Sequence, residues 1–287
     1  MSFRTQLEEA LKPFIPPVLL EGVRAFKDRF RQPVLTVAPD GWRTELAGDK
    51  HQGWSVDDVV SAERAKWDAY CRNLEGAGPL GFAHEHYDLT VTRNPSFHNV
   101  HLTYAYVLAL TARKKDRVSV LDWGGSLGHY YQLGKAVLPD VALDYHVKEV
   151  PLMAAAGKEL NPDVTWHDDA SCLDRDYDLV MMNGSLLYLE DWAEFLQKIA
   201  SSVKEYLFLF RLLVVQDSPS FVASQWIYNS QMLHLQVNQS ELLAAVDRTG
   251  LRLVREFVVG DRPYIKGAPE QCEMRGWLFK REPASKA

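Results

Sequence analysis

Cysteine, clustered metal ligands and long apolar runs are all scarce in this chain. Its 287 residues include three cysteines, Cys71, Cys172 and Cys272, which lie far apart and form no C-x-x-C pair. This spacing predicts a reducing compartment without structural zinc, and no His-Glu-x-x-His or similar ligand set predicts a metal site. No apolar run reaches the ~20 residues that a membrane-spanning helix needs, and acids and a proline interrupt the N-terminus too early for a signal peptide. We therefore expect a cytoplasmic protein with no metal and no membrane span.

Positive charge is also in short supply. The formal net charge is -6, which argues against a broad nucleic-acid-binding surface. Hydrophobic residues make up 47% of the chain, a fraction typical of globular proteins with an extensive core. The length predicts one large domain, or one domain with an appendage.

The stretch 118–129, which reads VSVLDWGGSLGH, organises the chain. Residues 118–121 predict a buried strand, Asp122 lies at its end, a glycine-rich turn follows, and 130–138 predict a helix. These are the parts of a nucleotide-binding site in an open α/β sheet. Gly124 and Gly125 can adopt positive φ and leave room for a ligand against the backbone, and Gly128 lets the helix pack closely. The dinucleotide pattern G-x-G-x-x-G is absent, as are the Lys and Ser/Thr of a P-loop, which leaves Asp-x-Gly-x-x-x-Gly.

From residue 118 onward, strand and helix patterns alternate, which predicts a parallel α/β sheet. We expect seven strands, with helices on both faces and an antiparallel return at the end. The predicted strands are 118–121, 141–150, 164–167, 177–183, 206–215, 251–259 and 276–280. The predicted helices between them are 130–138, 152–160, 191–203 and 240–249.

The residues before this alternation predict helices without strand partners. Residues 1–32 are amphipathic, 33–54 resemble a loop, and helices are expected near 55–70, capped at Ser55, and over 100–112. We interpret 1–112 as a helical lid that binds the acceptor, and 113–287 as a Rossmann-like cofactor domain.

Taken together, the motif 121–128 resembles the first motif of class I S-adenosylmethionine-dependent methyltransferases, with Ser126 in place of the usual third glycine. The segments HVKEVP at 146–151 and NGSLLYL at 183–189 extend the resemblance to a bacterial family of class I methyltransferases. Its members often occur with surface-polysaccharide or secondary-metabolite genes. The resemblance implies S-adenosylmethionine as cofactor, with Asp122 near its ammonium group, and further contacts from Gly124, Gly125, Ser126, Gly128 and Glu149.

Acidic and amide side chains follow the later strands. Glu149 ends the strand about 25 residues after the loop, where a carboxylate accepts both ribose hydroxyls; a surface Glu at a strand end is the alternative. Asp168 and Asp169 follow the third strand, where the resemblance implies a side-chain acceptor for the adenine amino group. A helix cap explains one of the two acids equally well. Asn183 ends the fourth strand, either beside the transferred methyl group or as a turn cap.

Methyl transfer to oxygen or nitrogen requires that the acceptor be positioned against the methyl group, and that a nearby base take the acceptor's proton. His129, beside the loop, and His98 are the candidate bases, with His84, His86 and His234 weaker; any of them also fits a structural role. Tyr188 is a candidate for orienting the acceptor. Arg211 either binds an acidic substrate group or pairs with a buried carboxylate.

The sequence thus predicts a methyltransferase acting on a small polar metabolite or sugar. Two alternatives stay open: a nicotinamide-dependent Rossmann oxidoreductase, and a module that binds a cofactor without catalysis. A homodimer is compatible with either.

Overall fold

The computed structural model describes residues 35–46, 53–78, 80, 95–227 and 230–282. The helices expected within 1–32, as well as His84 and His86, lie outside these ranges. In the described part, the α-helices are α1 (Asp57–Leu74), α2 (Pro95–Ala112), α3 (His129–Val137), α4 (Pro151–Leu160), α5 (Trp192–Ala200) and α6 (Gln239–Asp247). The strands are β1 (Leu35–Val37), β2 (Arg117–Trp123), β3 (Ala142–Lys148), β4 (Thr165–His167), β5 (Tyr177–Asn183), β6 (Val203–Val215), β7 (Phe221–Ile227), β8 (Ser230–Asn238), β9 (Leu251–Val258), β10 (Ile265–Lys266) and β11 (Glu273–Arg281).

The seven predicted strands form a sheet in the order β4-β3-β2-β5-β6-β11-β9. The first five are parallel, whereas β11 is antiparallel to both β6 and β9. The prediction of a Rossmann-like α/β sheet with a closing antiparallel return is therefore confirmed. Because β2 lies between β3 and β5, the chain reverses its direction of travel along the sheet there, where ligands bind in open α/β folds.

Alternate side chains of the central strands face opposite layers of the core, as strand geometry requires. Val120, Leu179 and Phe208 contribute to a cluster with α2 and α3. Their neighbours Leu121 and Val180 contribute to a second cluster, which includes residues of α5 and α6. Both faces of the sheet are thus covered by helices.

Four further strands extend the sheet beyond the seven, and the sequence did not predict them. The strands β7 and β8 form an antiparallel hairpin, β1 pairs with β7, and β10 pairs with β1. The hairpin joins the main sheet where Val214 and Val215 at the end of β6 pair with β8. Within the described residues the expected count of seven was therefore too low, and the segment expected to be a loop, 33–54, contains the strand β1. The strands β1 and β10 have only three and two residues and gain their partners through tertiary pairing.

The helices α1 and α2 occupy different places. Helix α2 packs into the core of the sheet through Tyr104 and Leu108, among others, whereas α1 contacts the glycine-rich loop and α4 through Trp67, Leu127 and Met153. Helix α1 begins at Asp57 with Val56 at its N-cap, so the expected Ser55 cap was wrong. The division at residue 112 into lid and cofactor domain stays a prediction. No described helix combines the length and apolarity that crossing a bilayer requires.

Candidate functional site

The loop between β2 and α3 is a tight turn with three left-handed residues. Gly124 has φ 79°, Ser126 φ 51° and Gly128 φ 83°. The Gly124 amide donates to the Lys148 carbonyl of β3 at 2.8 Å, and the Gly128 amide donates to the Gly125 carbonyl at 2.9 Å. A serine with positive φ is uncommon, and residues held in that region cluster at functional sites.

Protein atoms occupy the space beside each glycine of this loop. A β-carbon on Gly124 would lie 2.4 Å from Cβ of Ser185, one on Gly125 would lie 2.6 Å from the Asp122 carboxyl, and one on Gly128 would lie 2.8 Å from the Asn161 amide. Packing alone therefore requires glycine at these positions. The glycines by themselves do not indicate a ligand.

Glu149 reaches back from the end of β3 to this loop. Its Oε1 accepts from the Ser126 amide at 3.0 Å, and its Oε2 accepts from the Val150 amide at 2.7 Å. Burial raises the pKa of the Glu149 carboxyl, and the two amide hydrogen bonds partly offset this shift. Since each oxygen retains a second lone pair, the carboxylate can accept two further hydrogen bonds from neighbouring donors.

Asp122 lies beneath the loop and is fully buried. The Tyr145 hydroxyl donates to its Oδ2 at 3.0 Å, while its Oδ1 has no hydrogen-bond partner in the described part of the chain. Burial raises the pKa of Asp122 to about 7, and the nearby Glu149 charge contributes to the shift. The loop thus rests on a buried acid that retains one unsatisfied acceptor.

Helix α1 covers the start of α3 with aromatic side chains. The His129 ring lies edge-on to Trp67 and Tyr70, with ring centroids 5.1 and 4.8 Å away, and the Tyr70 hydroxyl donates to the His129 carbonyl at 3.0 Å. The His129 side chain is fully buried. The side chain of this candidate base therefore lies among aromatic side chains and is not exposed to solvent.

One turn of α1 brings charge to the same region. Lys66 Nζ lies 2.9 Å from Oε1 of Glu63, and both side chains are almost fully buried. The Glu63 charge contributes to the raised pKa of Glu149. The Glu149 carboxyl therefore lies close enough to interact with both Asp122 and Glu63, and the Lys148 charge acts on it in the opposite direction.

Asn161, which follows α4, supports the glycine-rich loop. From the sequence, Asn161 is predicted only to end a helix. Its amide donates to the Leu127 carbonyl at 2.6 Å and accepts from the Gln132 side chain. Its carbonyl accepts from Trp166 Nε1 at 3.1 Å. An asparagine after a helix is also a common stop signal, so no sequence signal distinguished the supporting role.

The two acids after β4 have different surroundings. Asp169 accepts from the Ser171 amide at 2.9 Å and caps the short 3₁₀ helix Ala170–Asp174, and hydrogen bonds from Ser171 lower the pKa of Asp169. The capping role is therefore confirmed for Asp169. Asp168 is exposed at the end of β4 and stays the candidate for the adenine amino group.

Polar side chains also follow β5. The Oδ1 atom of Asn183 is buried and has no hydrogen-bond partner among the described residues. Gly184, with φ 79°, turns the chain into the 3₁₀ helix Ser185–Tyr188, and the Ser185 hydroxyl donates to the Trp123 carbonyl. This bond joins the end of β5 to the end of β2, so Asn183 and the loop lie at the same edge of the sheet.

Tyr188 connects this edge to the hairpin. Its hydroxyl accepts from the Gln225 amide at 2.7 Å. Its ring lies edge-on to Trp54 at 5.2 Å, and 6.2 Å from the His234 ring. The hairpin of β7 and β8 was not predicted from the sequence, and neither were these contacts of Tyr188.

Arg211 lies close to the first turn of α2, which carries His98. Arg211 has φ 53°, at a bulge where the pairing of β6 with β11 shifts opposite Gly276. Its guanidinium lies 6.0 Å from the Phe97 ring, in the first turn of α2. His98 follows Phe97 and is half-buried, with an Nδ1 that has no partner in the described ranges.

Among known proteins, matches to this chain were found only with solved structures. No protein-family model matches the chain, and no curated protein sequence matches it. Solved structures similar to it include the magnesium protoporphyrin IX methyltransferase of Synechocystis PCC 6803 with bound SAM, at 14% identity and TM-score 0.46 over 80% of this chain and 100% of that one. Another is the 1,6-didemethyltoxoflavin-N1-methyltransferase of Burkholderia thailandensis, at 12% identity and TM-score 0.45 over 85% and 94%. A third is a sugar N-methyltransferase from Streptoalloteichus, at 16% identity and TM-score 0.42 over 64% and 87%.

Proposed function

We propose that this chain is an S-adenosylmethionine-dependent methyltransferase that acts on an oxygen or nitrogen of a small polar metabolite or sugar. The observation that carries the proposal is the joint placement of Glu149 and the left-handed loop. The carboxylate binds the Ser126 amide and keeps lone pairs for the two hydroxyls of a ribose.

The buried acids fit the cationic half of such a cofactor. Asp122 Oδ1 lacks a partner in the described part of the chain, and an ammonium group would supply one. Burial is the main cause of the raised pKa of Asp122 and Glu149, and a positive charge nearby would favour the ionised form of both carboxyls. Asp168 stays the candidate for the adenine amino group.

The bound cofactor supplies an activated methyl group for direct displacement. The chain's own residues then position the acceptor, which is the larger part of catalysis when the electrophile is already reactive. Asn183 offers a buried acceptor oxygen at the edge of the sheet beside the loop, suited to holding an amine or hydroxyl. We favour His98 as the candidate base, because His129 is enclosed by the aromatic residues of α1.

The nicotinamide alternative is less well supported. The dinucleotide pattern is absent, and the sheet ends with the antiparallel β11 between β6 and β9, unlike the 3-2-1-4-5-6 order of doubly wound dinucleotide folds. If the protein binds S-adenosylmethionine but transfers no methyl group, the alternative of a binding module without catalysis is supported instead.

The test measures the affinities of adenosine and 2′-deoxyadenosine for the natural chain and for the variant Glu149→Gln. The substitution retains the shape of the side chain and one of its two acceptor oxygens. Calorimetry should show that the variant loses about tenfold in affinity for adenosine, as expected for a charge-assisted hydrogen bond, but much less for 2′-deoxyadenosine. Glu159→Gln is the control, because Glu159 is exposed on α4 and pairs with Arg64. It should leave both affinities unchanged.

Other outcomes would separate the alternatives. An equal loss for both nucleosides would mean that Glu149 only supports the loop. Binding of NADH in place of S-adenosylhomocysteine would favour the oxidoreductase, and cofactor binding without methyl transfer to any of a panel of alcohols and amines would favour the module.

A further inference from the structure

Two buried side chains of β8 each present a polar atom that the protein leaves unsatisfied. His234 and Gln236 are 1% and 0% exposed. Their side chains form a hydrogen bond of 2.7 Å between His234 Nδ1 and the Gln236 amide nitrogen. Within the described part of the chain, His234 Nε2 and Gln236 Oε1 have no further partner.

The bond between the two side chains fixes what they offer to a ligand. When the Gln236 amide donates to Nδ1, the imidazole proton is on Nε2, so the pair presents an N–H donor and the Oε1 acceptor. When the amide is rotated, Nε2 becomes the acceptor and the amide nitrogen the donor. Either arrangement presents one donor and one acceptor. Burial also lowers the pKa of His234 to about 4, so the pair is uncharged near neutral pH.

The position of the pair relates it to the candidate site. His234 and Gln236 are two residues apart on one strand and therefore lie on the same face of the hairpin. Register places Ala223 opposite His234, and Gln225 lies two pairs further along, opposite Met232. Gln225 binds Tyr188, whose ring also lies 6.2 Å from His234. This face thus adjoins the 3₁₀ helix that begins two residues after Asn183.

We propose that His234 and Gln236 bind the methyl acceptor, and that this acceptor is an uncharged molecule with neighbouring hydrogen-bond donor and acceptor groups, such as a cyclic amide or a sugar diol. The acceptor role rests on the proposed methyltransferase function. A buried unsatisfied polar group costs about 1–3 kcal/mol, and a ligand with both groups pairs the two atoms at once. An anion would leave the buried donor–acceptor pair half satisfied.

The test uses the full chain and small probes with matched chemistry. Nitrogen resonances of the His234 imidazole, identified by their loss in His234→Gln, report contact directly. We expect 2-pyrrolidinone or methyl glucoside to shift these resonances in a saturable way. N-methyl-2-pyrrolidinone, which lacks the donor, and acetate should shift them at least about fivefold less. Tighter binding of 2-pyrrolidinone identifies the acceptor as a cyclic amide, and tighter binding of methyl glucoside identifies it as a sugar.

Two substitutions make the test specific. Gln236→Met removes the amide at similar size and should abolish the response. Gln231→Met makes the same change on the opposite face of the same strand and should retain it. If no probe shifts the His234 resonances, or if both pyrrolidinones act equally, the binding pair is refuted.

Calorimetry with S-adenosylhomocysteine on the same samples separates this proposal from the previous one. Cofactor binding without a probe response overturns the acceptor site and leaves the methyltransferase proposal intact. A probe response without cofactor binding refutes the acceptor role of the pair together with the proposed function. Unchanged cofactor affinity in Gln236→Met, combined with the lost probe response, supports the assignment.

Discussion

The buried carboxyl of Asp122 allows a quantitative prediction. Burial raises its pKa from the ordinary 3.8 to about 7, and the Tyr145 hydrogen bond offsets only part of the shift. Because the folded state then binds the proton more tightly than the unfolded chain, the stability that this group contributes falls as the pH rises from about 4 to 7, and stays low above that. Three pKa units correspond to roughly 4 kcal/mol, of which roughly 3 kcal/mol is lost between pH 5 and pH 8.5.

The substitution Asp122→Asn removes this titration and keeps an oxygen that can accept from Tyr145. The variant carries a constant cost of about 1–3 kcal/mol, because its amide nitrogen is a buried donor that the described residues do not pair. Its stability relative to the natural chain should therefore rise by roughly 3 kcal/mol between pH 5 and pH 8.5. Urea unfolding followed by tryptophan fluorescence at both pH values measures the difference.

Asp178→Asn is the matched control. Burial opposes ionisation there too, but hydrogen bonds from Ser119, Lys115 and Lys204 lower the pKa of Asp178 to about 2. Stability from such a group is present above pH 4 and is lost only as the pH falls toward 2, so the effect of this substitution should be the same at pH 5 and pH 8.5. A pH-independent effect of Asp122→Asn as well would refute the raised pKa.

Two further substitutions test the support beneath the loop. Asn161→Ala leaves the Leu127 carbonyl and the Gln132 amide without their partner. The variant should lose about 1–3 kcal/mol of unfolding free energy in chemical denaturation and should bind S-adenosylhomocysteine more weakly. If neither value changes, the loop does not depend on Asn161. Gly157→Ala places a β-carbon 2.1 Å from the Trp166 ring and should lower the unfolding free energy by about 1–3 kcal/mol, whereas Gly78→Ala, which meets no atom nearby, should have little effect; equal stabilities would contradict the packing.

The main sheet was predictable because its strands are short apolar runs separated by turn signals. The prediction for β5 agrees with the structure at both ends, and Pro151 begins α4 as expected. The short additional strands β1 and β10 were not predictable in this way. The strand β1 has three residues and pairs with β7, nearly 190 residues later, and no local pattern encodes such a partner.

The same distinction between local sequence patterns and long-range contacts applies to the residues of the candidate site. The positions of Asp122, Gly124, Glu149 and Asn183 were predictable, because each lies at or just beyond the end of a strand; their roles toward a ligand stay predictions. The role of Asn161 depends on contact with Leu127 across 34 residues. The burial of His129 depends on α1, whose packing against the loop the sequence did not reveal.

A glycine-rich turn is therefore weaker evidence for a ligand than unsatisfied polar atoms are. Gly124, Gly125 and Gly128 all contact protein atoms that leave no space for a β-carbon, so a protein without any ligand would need them as well. In contrast, Asp122 and Asn183 each keep a buried oxygen without a partner in the described part of the chain. Such atoms cost stability unless something pairs them, and packing of the fold does not require them. The two oxygens, at the ends of adjacent parallel strands, are thus the feature of this edge that a bound molecule explains and that packing alone does not.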